Sequence, residues 1–262
     1  GWSVIDQGQW IPQDPTVSLR DNFRNCLLRD TFIKTVCKIN KTESGETWLE
    51  EDQLDQLFED FSDFDTQKLL QANEECLSRL LKWQVEENRL TGELDPVVKI
   101  IDFDDWQANS FVAINQFRID TPGGVKEFII PDVVLFVNGL PLVVIECKEA
   151  NGYTSDPMHE AIEQLRRYAD LREETIAARL KEGEQKLFWS NQLMIGLHDE
   201  DARYGTISSS EDYFFQWKSI YPDEEPYVDE VIGEHRAQER LVQGMLHPQR
   251  LVDMLRSFTL FM

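Results

Sequence analysis

Apolar residues recur along this chain with two periods, and the switch between them divides it. From Leu19 to Asn40 they fall at helical spacing: Phe23 and Leu27, then Phe32, Ile33 and Val36. Residues 46–90 continue that period in two stripes. Leu54, Leu57, Phe58 and Phe61 make one; Leu69, Leu70, Leu77, Leu80 and Leu81 make the other, with Asp65 as its expected N-cap. Acidic residues (Glu50, Glu51, Asp52, Asp55, Glu59, Asp60) cover the outer positions and read as a solvated face. Strand-like runs come at the very start (Gly1–Ile5) and again beyond Gly92, at Val97–Phe103, Phe111–Ile119 and Gln192–Leu197. Pro157 opens a helix expected to reach about Lys181, with Ile162, Leu165 and Ala169 facing the core. His198–Gly205 reads as a loop with Gly205 as its turn glycine, and the aromatic cluster Tyr213–Trp217 reads as core. Residues 222–235 are acidic and contain proline, and two amphipathic helices, Gln238–Leu246 and Pro248–Phe258, follow. The predicted fold class is α/β, a mixed central sheet flanked by helices, with a helical N-terminal portion at 46–90. Residues 1–221 read as one domain and 222–262 as a connector with helices.

The most apolar stretch, Phe128–Ala150, holds two runs around the turn signal Asn138-Gly139, which is the pattern of a β-hairpin. Three charges interrupt it. Asp132 enters the first strand, and Glu146 and Lys148 leave the second on one shared face, with Cys147 on the other. A two-residue turn pairs Val137 with Leu140 and sets Asp132 and Glu146 on opposite faces. A three-residue loop restores the parity and brings their Cβ atoms to roughly 5–8 Å. Two like charges in a buried hairpin favour the three-residue loop, with Gly139 in its left-handed position. Paired carboxylates persist beside cations or around a metal, and hard oxygen ligands suit Mg²⁺. With Lys148 alongside, the set fits metal-assisted phosphodiester hydrolysis. The competing reading is a salt-bridged end of a sheet.

Composition narrows the classes. Forty-one per cent hydrophobic residues, seven Trp and fifteen Phe over 262 residues mark a globular chain. No segment approaches a membrane span, and residues 1–10 lack a signal-peptide layout, so a cytoplasmic place is expected. Cys26, Cys37, Cys76 and Cys147 show no metal or disulfide spacing, and the four histidines are scattered. The net charge of −23 opposes broad DNA binding by this chain alone, which should be weak and lost steeply with salt.

The run P-D-V-V-L-F-V-N-G-L-P-L-V-V-I-E-C-K resembles the nuclease core of the restriction (HsdR) subunit of type I restriction enzymes, a branch of the PD-(D/E)xK nucleases. The resemblance implies Asp132 and Glu146 as Mg²⁺ ligands and Lys148 as the catalytic lysine. Asn115-Gln116-Phe117, Gln164 with Tyr168 (Q-x-x-x-Y), and Ala202-Arg203-Tyr204-Gly205-Thr206 resemble further family signatures in the same order. They imply Gln164, Tyr168, Asn115 and Arg203 near the site or the DNA, with Arg166, Arg167 and Arg172 as nearby cations. Gln164 and Tyr168 share a helix face, whereas Asn115 and Gln116 point to opposite faces of a strand. The family carries a glutamate-bearing helix ahead of the first strand, and none precedes Gly1 here. Its partners would be DNA and the modification (methyltransferase) and specificity subunits. Its ATP-driven motor follows helices like those at the C-terminal end. No G-x-x-x-x-G-K-[ST] occurs, so ATP would act only through a motor outside these residues. The alternatives are a free-standing PD-(D/E)xK repair nuclease and a non-catalytic assembly module.

Overall fold

A computed structural model of the chain describes all residues except 43, 66, 83, 95, 150–155, 200, 219, 221–236 and 259–262, and no side chains at 173–175 and 258. The strands are β1 (Ser3–Ile5), β2 (Gln84–Val85), β3 (Val97–Val98), β4 (Phe111–Asn115), β5 (Ile119–Asp120), β6 (Phe128–Ile129), β7 (Val133–Val137), β8 (Leu140–Lys148), β9 (Leu193–His198) and β10 (Asp201–Gly205). The helices are α1 (Arg29–Ile39), α2 (Glu51–Ser62), α3 (Leu69–Leu81), α4 (Pro157–Tyr168), α5 (Glu173–Ala178), α6 (Ala237–Arg240) and α7 (Pro248–Phe258).

Six strands form one sheet in the order β1-β4-β7-β8-β9-β10. β1 runs parallel to β4 and β8 parallel to β9; the other neighbours are antiparallel. The fold is therefore a mixed central sheet flanked by helices, as expected. Leu140 to Glu146 is buried at every position, which explains why the sequence there is continuously apolar rather than alternating. α4 is the crossover between the parallel strands β8 and β9. Asp156 caps it by accepting the His159 N–H at 3.0 Å, and Pro157 fills its first turn. Its apolar face (Met158, Ala161, Ile162, Leu165) settles on Gly196 of β9, where a Cβ would lie 3.0 Å from Met158 Sδ. The N-terminal helices join the same core: the Asn73 amide of α3 donates to the carbonyls of Phe188, Trp189 and Asn191 at 2.9–3.1 Å.

Several local expectations change. The 19–40 helix begins only at Arg29, and α3 starts without help from Asp65, which pairs with Lys186 instead. Only Val97 and Val98 of the 97–103 run pair as strand. The Phe111–Ile119 strand breaks after Asn115, where Gln116 takes φ 48°. α4 stops at Tyr168, not Lys181, because Asp170 turns left-handed and its carboxylate takes the N–H groups of Glu182 and Gly183. Residues 201–205 are strand rather than loop, and Gly205 makes room for the Phe214 ring. Phe214 is buried, but Tyr213 and Phe215 are exposed. The connector 222–235 and most of the 152–156 loop lie outside the described residues. No described helix is long and apolar enough to cross a membrane.

Candidate functional site

The hairpin turn has two residues, not three. Asn138 (φ 50°) and Gly139 (φ 81°) are both left-handed, and Val137 pairs with Leu140. Parity is restored elsewhere. Phe136 pairs with Pro141 but Leu135 with Val143, so Leu142 is an extra residue, a β-bulge. The carbonyls this exposes are taken up by Ser190 Oγ (to Pro141 O, 3.0 Å) and the Gln192 N–H (to Leu142 O, 2.7 Å). Beyond the bulge Val133 faces Ile145, and one further step sets Asp132 across from Glu146 on one face, roughly 5 Å apart at Cβ. The bulge, rather than the loop, brings the two carboxylates together.

Glu146 is 2% exposed. Its Oε1 accepts from Lys148 Nζ at 3.0 Å, while its Oε2 is buried with no hydrogen-bond partner among the described residues. Burial, and then the charge of Asp132, push its carboxyl up to about 7; Lys148 and Tyr168 pull the other way. Asp132 is held at both oxygens: Gln116 Nε2 donates to Oδ1 at 3.1 Å and the Cys147 N–H to Oδ2 at 2.7 Å. Lys148 also donates to Gln164 Oε1 at 2.7 Å, Gln164 Nε2 to the Tyr168 hydroxyl at 2.5 Å, and that hydroxyl to Ile130 O at 3.1 Å. The chain from Glu146 to Ile130, two residues before Asp132, is thus closed by α4. Tyr168 is itself buried, and burial with the nearby Glu146 raises its phenol above the usual range.

The other residues singled out from sequence lie further off. Asn115 turns away from Asp132: its Oδ1 accepts the Gln7 N–H at 2.6 Å and its Nδ2 donates to Asp6 at 2.7 Å. Its neighbour Gln116, on the opposite face as expected, is the one of the pair that touches Asp132. Arg203 shares the cross-sheet row of Glu146 through Gly196, two strands away at about 10 Å, and pairs with Asp201 at 2.9 Å. Arg166 and Arg172 both pair with Glu163. His198, the partner of Lys148 across β8 and β9, was missed; its Nδ1 lies 3.0 Å from the Lys148 carbonyl. Facing an acceptor, that nitrogen carries the ring proton.

Residues 1–213 match the family described as type I restriction enzyme R protein N terminus. The chain belongs to that family. Two relatives show the extent of the likeness. The type I restriction enzyme HindI endonuclease subunit of Haemophilus influenzae is 34% identical over 165 residues, 63% of this chain and 14% of that protein. A Methanocaldococcus jannaschii protein, named by inference as the type I restriction enzyme MjaIXP endonuclease subunit, is 24% identical over 261 residues, 93% of this chain and 23% of that protein. The chain therefore spans under a quarter of the length of these relatives. The R-protein family match takes in every part of the arrangement above, from Gln7 through Arg203.

Proposed function

We propose that this chain is the DNA-cleaving module of a type I restriction R subunit, a metal-dependent PD-(D/E)xK nuclease. The observation that carries the reading is the buried carboxylate Glu146, whose Oε2 has no hydrogen-bond partner among the described residues, one register step beyond the Val133–Ile145 pair from Asp132 and tied to Lys148. A buried acceptor oxygen beside a second carboxylate is a poor salt-bridged sheet end, since it leaves negative charge uncompensated. It fits a hard divalent cation bound by carboxylate oxygens, and Asp132 and Glu146 are the residues that would hold Mg²⁺. When bound, such an ion supplies charge neutralisation and water activation for phosphodiester hydrolysis.

The protein's own contribution is orientation. Gln164 and Glu146 fix the Lys148 ammonium with two of its three donors, leaving the third for a phosphate oxygen or a water. Tyr168 fixes Gln164 in turn. DNA would be delivered, and cutting licensed, by an ATP-driven motor elsewhere in the subunit, with specificity and modification subunits as partners in the cytoplasm. The long endonuclease subunits among its relatives favour this over a free-standing repair nuclease.

The test is Lys148→Ala in the assembled enzyme. Removing the ammonium leaves Glu146 next to Asp132 without its cation, and Glu146 responds by holding its proton, so the fold survives. Plasmid cleavage should fall by about 10²-fold or more while ATP hydrolysis is unchanged. A variant that melts like the parent and cuts at its rate would remove Lys148 from the chemistry.

A further inference from the structure

The end of β4 carries a strained turn that no part of the proposed chemistry uses directly. Gln116 is a non-glycine residue at φ 48°, a strained conformation that persists only where its surroundings impose it. They do. Gln7, in the segment after β1, donates its single side-chain amide nitrogen to two successive carbonyls, Asn115 O at 2.8 Å and Gln116 O at 3.0 Å. Its Oε1 is buried without a partner among the described residues, so the clamp is made at the expense of that oxygen. The Gln7 N–H is taken by Asn115 Oδ1, and Asn115 Nδ2 is anchored on Asp6. On the far side, the Gln116 N–H donates to Asp132 O at 2.8 Å and its Nε2 to Asp132 Oδ1 at 3.1 Å.

We infer that Gln7, Asn115 and Gln116 form a strut from the N-terminal strand whose purpose is to aim the Asp132 carboxylate, with Gln116 as the positioning residue. The strut grips Asp132 at backbone and side chain together. With the Cys147 N–H on Oδ2, it leaves the carboxylate no freedom to rotate. A carboxylate so held keeps a single orientation on the face it shares with Glu146. That pre-organisation lowers the cost of gathering ligands around a cation. Asn115 thereby gains a part in the site without touching it. The inference rests on the reading of Asp132 as a cation ligand.

Gln116→Gly separates aim from fold. Glycine adopts positive φ freely, so the turn is relieved while the amide is lost. Gln116→Met keeps the bulk and loses the amide. Mn²⁺ is the probe, titrated into this chain by calorimetry, with thermal unfolding of each variant in parallel. Both variants should bind Mn²⁺ at least tenfold more weakly than the parent, and Gln116→Gly should melt no lower. In the assembled enzyme, cleavage lost by Gln116→Gly should return as Mg²⁺ is raised, which a collapsed site would not allow. Parental Mn²⁺ affinity in both variants overturns the strut while leaving the nuclease reading intact. A parent chain that binds Mn²⁺ no better than Asp132→Ala overturns both.

Discussion

Glu146 is where the residues of the site oppose the stability of the fold. Its carboxyl, ordinarily near 4.5, is pushed up to about 7. Between those values the folded chain holds a proton that the unfolded chain has released. Stability is thus greatest on the acid side of the window and falls as pH rises through it, by on the order of a few kcal/mol. Glu146→Gln cannot ionise, yet it keeps an acceptor for Lys148. Without divalent ions, its melting temperature should decline less than the parent's between about pH 5 and 8, and should exceed the parent's at the upper end. Parallel melting curves across that range would show that Glu146 carries no such strain. The three charged residues of this site were legible because charges stand out in an apolar run. Gln116 was not, since nothing local to N-Q-F shows which amide a left-handed turn will carry to Asp132. His198 escaped for a similar reason: its partner is a backbone carbonyl of another strand, and carbonyls leave no trace in sequence.

Among the elements, the hairpin shows how a sound inference can reach its end by the wrong route. Like charges required a parity correction, and the turn was the obvious place to put it. The marker of the true place was Pro141. A proline inside a central strand removes a ladder donor and belongs beside a bulge, and the bulge lies at Leu142. The tight turn is set instead by Asn138, fully buried, whose amide donates to Ile100 O and Asn109 Oδ1 at 2.7 and 2.8 Å. The end of α4 was misjudged because its stop signals are tertiary. Gly183 passes so close to the Tyr168 carbonyl that a Cβ would overlap it, and the Glu184 N–H then donates to that oxygen at 2.9 Å. Gly183→Ala must therefore push backbone from backbone, at a cost of about 1–3 kcal/mol. The displacement falls on Tyr168 and, through Gln164, on Lys148. We expect a melting temperature lower by several degrees, together with reduced cleavage by the assembled enzyme. An alanine variant with parental melting and cleavage would mean that this crossing is slack.

At the scale of the whole molecule, the charge of −23 poses the question of how the proposed nuclease would meet DNA. The sequence suggested weak binding with a steep dependence on salt. The ion pairs around the proposed site argue for weak binding and for a shallower dependence on salt than the charge alone suggests. Steepness measures how many phosphates are neutralised by cations, at about 0.9 in the logarithmic slope for each. Around the proposed site four of those cations are already engaged. Lys148 pairs with Glu146, Arg166 and Arg172 with Glu163, and Arg203 with Asp201. The three arginines must each give up an internal carboxylate before serving a phosphate, Lys148 has one donor left to offer, and the acids beside them repel the same DNA. Few counterions are then released on binding. The slope of log affinity against log salt should be about −3 or shallower, and the affinity of this chain for duplex DNA no tighter than roughly 10⁻⁶ M at physiological salt. Adding Ca²⁺, which suits carboxylate oxygens, should strengthen binding in the parent but not in Asp132→Ala. Fluorescence anisotropy of a labelled duplex between about 0.05 and 0.2 M salt measures all three quantities. Submicromolar binding with a slope near −6 would reveal a basic DNA track outside these ion pairs, and the chain would then need no other part of the subunit to bring it to its substrate.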